Sequence, residues 1–198
     1  VPWALVAERA RGLTVLSGCP RGWVPKLLAA GKPDDAWMAA CALRDVFGEH
    51  LAIECWDHRL HEERVVVRAL QPLAKKLGVP WVVTNNVHYA EVEQRVIHDV
   101  LCSLRHGLTL DEMGTRLRPN AEWALKSEDL IHKRWQGAER GIHETLTIAE
   151  RCTFRLAQLQ PSLPEAFQVP DGLTAEVERQ IVRRVTDLIA LARKAGLA

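Results

Sequence analysis

The chain has 198 residues, of which 47% are apolar and 26% charged, enough of both to build a packed core and to exclude extended disorder over most of its length. Its formal net charge of +1 gives no compositional support for binding nucleic acid through bulk charge. Five scattered cysteines, with no CxxC pair, argue against a disulfide framework and fit a reduced, cytoplasmic compartment, and no apolar run is long enough for a signal peptide or a membrane span.

In chain order, residues 3–11 read as the end of a helix stopped by Gly12, with Leu5 and Val6 set to pack on the first strand. Leu13 to Ser17 is a short apolar strand running into Gly18-Cys19, and the segment from Cys19 to Gly22 makes a tight turn. A short helix covers Val24 to Ala30. Pro33-Asp34-Asp35 opens a longer one, because proline fits the first helical turn and acidic residues suit the positive end of the helix dipole. Trp37, Ala40, Cys41, Leu43 and Phe47 give it one apolar face.

A second strand, Leu51 to Glu54, runs into Cys55, Trp56, Asp57 and His58. The helix from Glu62 to Leu77 alternates a basic, solvated face (Arg64, Arg68, Lys75, Lys76) with an apolar one, and Pro72 predicts a kink or break near Leu70 or Gln71. The third strand is Trp81 to Thr84, between a Gly78-Val79-Pro80 breaker and the Asn85-Asn86 pair.

Next comes a helix from Glu91 to Leu104, with Val92, Val96, Val100, Leu101 and Leu104 expected inward, and then a loop over 105–121. Ser127 is a good N-cap for a helix from Glu128 to about Trp135, and Gly137 separates it from another over Ala138 to Arg151. Three prolines make 160–173 an extended linker. The final amphipathic helix, within 174–198, carries Val177, Ile181, Val185, Leu188 and Ile189 beside Arg179, Arg183 and Arg184.

Strands separated by helices are most simply parallel neighbours whose C-terminal ends share one face, where α/β proteins carry their chemistry. Cys19, Glu54 and His88 would then meet, and a thiolate, a carboxylate and an imidazole at one point suit zinc or another transition metal. The bland readings are a small buried Cys19, a Glu54 paired with a cation and a His88 hydrogen-bonded at a loop. His58 reads as a group behind or beside such a site. His98 and His106 lie on or after a helix and need no functional account. The tryptophans read as packing rather than as base-stacking platforms, and Arg116 and Arg118 as polar loop residues that could approach a nucleic-acid backbone.

Leu16-Ser-Gly-Cys19, Ile53-Glu54 with His58, Val83-Thr-Asn-Asn-Val-His-Tyr89, Leu108-Thr-Leu-Asp-Glu112, Leu125-Lys-Ser-Glu-Asp-Leu130 and Thr147-Ile-Ala-Glu-Arg-Cys152 occur in an order that resembles the PHP (polymerase and histidinol phosphatase) domain of bacterial C-family DNA polymerases. The wording around Asn86 is nearer the error-prone branch of the alpha subunit than the main replicative one. The resemblance covers about positions 5–172.

It implies an α/β fold, part of a distorted β/α barrel over 1–126, continued by helices over 127–159 and followed by the linker and a helix leading toward a polymerase core. It also implies phosphoester chemistry at a metal cluster, with Cys19, Glu54 and His88 as ligands, Asn86 where the family has aspartate, and zinc or manganese as the metal. An amide oxygen at Asn86 brings no charge, and the family's opening His-x-His strand has no counterpart here, so a partial site is expected. The parent enzyme would use magnesium and act on DNA. The rest of the polymerase chain is then the expected partner, and a half barrel with open sheet edges predicts a homodimer when isolated. A free-standing metal-dependent phosphoesterase and a purely structural module remain the alternatives.

Overall fold

The computed structural model describes residues 2–158 and, within 179–187, residues 179, 180, 182–184, 186 and 187. The chain divides into two compact units, 1–153 and 154–198. The expected linker over 160–173 lies outside the described residues. Those described within the expected final helix are helical.

The first unit is mixed α/β. Its elements are α1 (Trp3–Glu8), β1 (Val15–Leu16), α2 (Trp23–Ala29), α3 (Pro33–Phe47), β2 (Leu51–Cys55), α4 (His61–Leu77), β3 (Trp81–Val83), α5 (Arg95–His106), α6 (Leu110–Met113), α7 (Glu128–Arg134) and α8 (Glu139–Arg151). The three strands form one parallel sheet in the order β1, β2, β3, with Val15 opposite Leu51 and Ile53 opposite Trp81. Helices α2 and α3 lead from the first strand to the second and α4 from the second to the third, as parallel pairing requires. All five residues of β2 are buried, which is the pattern of a central parallel strand covered on both faces.

The main core lies between β2, α3 and α4, where Ala36, Ala40, Leu51, Ile53, Leu70, Ala74 and Leu77 are nearly or fully buried. Acidic Asp34 and Asp35 occupy the first turn of α3, with Pro33 at its start. Helix α4 runs unbroken through Pro72, so the expected break does not occur. Packing of its apolar stripe against the sheet outweighs the one hydrogen bond that proline removes. On its outer side Lys76 sits 4.1 Å over the Trp37 ring.

Two expectations after β3 are corrected. Val92, Val96, Val100, Leu101 and Leu104 face outward, with exposures from 40% to 72%, instead of filling the core. The 105–121 stretch is not all loop: Thr109 and Glu112 form a reciprocal capping box that starts α6. Ser127 does cap α7, its hydroxyl accepting from the Leu130 amide at 3.4 Å. Helix α8 packs on β3, and Gly141 is the contact that allows it, because a Cβ there would overlap the Trp81 ring. Among the described residues no helix is long and apolar enough to cross a membrane.

Candidate anion cavity at the strand ends

The carboxyl ends of β2 and β3 are tied together by side chains. Glu54 donates its amide to Ser17 Oγ at 2.9 Å, and its Oε1 accepts from Thr84 Oγ1 at 2.7 Å. Asn85 is buried and donates from Nδ2 to the carbonyl oxygens of Glu122 (2.9 Å) and Ala124 (2.7 Å), which lays the 119–124 segment over the end of β3. Leu125 N donates to Tyr89 O and His88 N to Trp123 O, extending that seam.

His58 is completely buried at the centre of this layer. Its Nδ1 lies 2.8 Å from Glu63 Oε2 and its Nε2 3.0 Å from the Asn85 carbonyl oxygen, while the ring stacks on Trp123. Asn120 Nδ2 donates to His58 O. The expected place of His58 beside or behind the strand-end chemistry is therefore a buried one, and its partners are all structural.

Chain geometry then delivers a set of side chains to one cavity of about 370 Å³. Cys19, Pro20 and Arg21 come from the turn after β1. That turn is closed by Gly22 N donating to Cys19 O, and a Cβ on Gly22 would collide with Ser17 O, so the site needs glycine there. Asn86 and His88 come from the loop after β3, where Asn86 adopts a left-handed φ of 40°. Helix α5 contributes His98, Cys102 and Arg105 at helical spacing, so they share one face. Arg116 and Arg118 come from the loop that follows α6.

Cys19, Asn86 and His88 thus do line a common cavity, whereas Glu54 does not; its carboxylate is engaged by Thr84. The sole acidic residue lining the cavity is Glu63, already held by His58. Among the described residues no group of three or more His, Cys, Asp and Glu side chains is placed to hold a metal ion. Four arginines and a single committed carboxylate give the cavity the wrong charge for a hard, oxygen-liganded cation such as magnesium or manganese.

Sequence reasoning passed over His98, Cys102 and Arg105. The signal was their spacing at i, i+4 and i+7 on one helix, which becomes informative only once that face is known to look toward the strand ends.

Electrostatics follow from this crowding of positive groups. Arg118 Nη2 donates to His88 Nε2, and its guanidinium lies 4.4 Å from the Trp123 ring centroid. Burial, and after it the like charges of Arg118, His98 and Arg21, push the His88 imidazole down to about 4, so it is neutral at pH 7 and free to accept that bond. Burial and the neighbouring Arg21 also pull Arg118 below the ordinary arginine value. Its Nε is buried without a hydrogen-bond partner.

No model of a known protein family matches the chain. Individual proteins do. An error-prone DNA polymerase of Symbiobacterium thermophilum is 34% identical over 171 residues, which is 86% of this chain and 16% of the relative. A DNA polymerase III subunit alpha of Treponema pallidum is 36% identical over 189 residues, 91% of this chain and 16% of the relative, and that of Thermus aquaticus is 30% identical over 195 residues, 96% of this chain and again 16% of the relative. Proteins of both names match at comparable identity, and the chain spans about 16% of the length of each. The chain is therefore homologous, over nearly all of its own length, to one segment of the bacterial DNA polymerase III alpha subunits and error-prone DNA polymerases.

Proposed function

We propose that this chain is the later part of a PHP domain within an alpha-subunit-type bacterial DNA polymerase of the error-prone kind, serving as a scaffold for a polymerising core that lies outside it. The observation that carries the reading is similarity to such polymerases over 86–96% of the chain. Parallel strands alternating with helices, in the order β1, β2, β3, support placing it in a β/α barrel. The outward apolar stripe of α5 (Val96, Ile97, Leu101, Leu104) supports a life inside a larger chain, because the relatives carry this segment as 16% of their length. DNA synthesis in replication and repair, with magnesium, is then the work of the parent enzyme in the cytoplasm.

The zinc or manganese site implied by the resemblance would be only partial on this segment, with Cys19, Asn86 and His88 on one cavity and Glu54 turned to Thr84. That arrangement favours the scaffold over a free-standing phosphoesterase. The test is made in the full-length parent polymerase. Deleting this segment should abolish soluble, active enzyme, whereas Cys19→Ser with His88→Ala should leave primer extension within about threefold of the parent. Elemental analysis of the isolated, chelator-free chain should find less than stoichiometric zinc and manganese. A stoichiometric metal lost in the double variant, accompanied by phosphoester hydrolysis, would replace the scaffold with the phosphoesterase.

A further inference from the structure

Helices α7 and α8 open on the same pattern, Glu-x-x-Ile-His: Glu128, Ile131 and His132 in the first, Glu139, Ile142 and His143 in the second. Spacing at i, i+3 and i+4 puts each set on one face of its helix. All six side chains line a single cleft of about 470 Å³, which Val83 and Val87 close on the side of β3. Its middle is apolar. Ile131 and Ile142 are half-buried there, while Val87, Leu125 and Leu146 line it at 46%, 66% and 58% exposure. Large apolar side chains left open on one concave surface are the mark of a binding face rather than of a finished core.

The rim is acidic. Among the described residues neither Glu128 nor Glu139 meets a lysine or arginine: Glu128 lies 3.7 Å from His132, and Glu139 accepts the Gly137 amide at 2.9 Å. Lys126 also lines the cleft, but its ammonium is buried and held 2.9 Å from Glu122. The imidazoles and carboxylates of the rim are not grouped to hold a metal ion.

We propose that this cleft docks an amphipathic helix of a partner protein, one whose apolar stripe is flanked by lysines or arginines. The apolar middle takes the stripe, and the two carboxylates, one from each wall, meet the flanking cations. A carboxylate on each wall repels the phosphates of a nucleic acid or an anionic membrane. Walls made of helices have their backbone groups bonded internally, so they offer no edge to an added strand. Docking here uses this chain's own residues and is independent of the polymerase reading.

The test is fluorescence anisotropy of the 198-residue chain with a labelled synthetic Leu/Lys amphipathic helix of about 14 residues. The same helix with glutamate in place of lysine and a scrambled Leu/Lys peptide are the controls. Saturable binding of the Leu/Lys helix is expected, about tenfold tighter than that of either control. Leu146→Asp should weaken it about tenfold and Glu128→Lys several-fold, whereas Leu101→Asp on the outward face of α5 should leave it unchanged. All three positions are exposed, so the variants should keep their fold, with circular dichroism as the check. No saturable binding, equal binding of either control, loss of binding in Leu101→Asp, or Leu146→Asp and Glu128→Lys chains that bind like the parent would each overturn the proposal. So would a dimer in sedimentation that Leu146→Asp dissolves, because the occupant of the cleft would then be a second copy of this chain.

Discussion

His58 and Trp123 stack with ring centroids 4.1 Å apart and planes 14° from parallel, joining the chain just after β2 to a segment more than sixty positions later. Both are buried, and both ring nitrogens of His58 face acceptors, Glu63 on one side and the Asn85 carbonyl on the other. The ring is thus fixed at both nitrogens as well as by its stacked face. Trp123→Ala should cost about 3 kcal/mol or more in urea denaturation through the cavity it leaves. Glu63→Gln should cost about 1–3 kcal/mol, because the buried ring nitrogen and the His58 amide lose carboxylate oxygens that an amide replaces only in part. A loss under about 1 kcal/mol for Glu63→Gln would mean that the amide replaces the carboxylate's contacts in full.

Gly141 tests packing against propensity. In a free helix Gly→Ala stabilises by about 1 kcal/mol, yet here the new methyl would overlap the Trp81 ring where α8 meets β3. Overpacking of that kind costs about 1–3 kcal/mol, so Gly141→Ala should lower the melting temperature instead of raising it. Combining it with Trp81→Leu should recover part of the loss, and no recovery would place the strain elsewhere.

Glu122 sets an acid limit. Burial pushes its carboxyl up, but hydrogen bonds from Lys126 and Arg134 outweigh that and hold it below the ordinary 4.5. A folded-state value below the unfolded one means the stabilisation is fully present above pH 4.5 and is lost as pH falls through the lower folded value. Thermal melts from pH 7 down to pH 3 should show the loss beginning below 4.5, and Glu122→Gln should flatten that limb while lowering stability at pH 7. An unchanged acid limb in the variant would remove Glu122 from the account.

The cysteines should separate by environment. Cys55 is buried at the end of β2, and desolvation, followed by the neighbouring Glu54 charge, pushes its thiol up to about 12. Cys152 is exposed. Brief alkylation at pH 8 should therefore label Cys152 and spare Cys55 until denaturant is added, as read by peptide mass spectrometry. Early labelling of Cys55 in the native chain would show that β2 opens far more readily than a fully buried central strand should.

The sequence by itself determined the local elements. Short apolar runs bounded by glycine, proline and asparagine placed all three strands within two residues, and Ser127, Pro33 and Gly78 marked helix ends, because these signals act through a few neighbouring dihedrals. The ordered motifs from Ser17 to Cys152 also carried the relationship to bacterial polymerases without any knowledge of contacts.

Only the tertiary structure decided which way α5 faces. Its period was legible, but an apolar stripe reads the same whether it meets a core or solvent, and here the His98, Cys102 and Arg105 face turns toward the strand ends. It also decided that Glu54 is taken by Thr84 while Arg116 and Arg118 close over Cys19 and His88. The sign of a cavity's charge is a sum over groups far apart in the chain, and such a sum exists only after folding has brought them together.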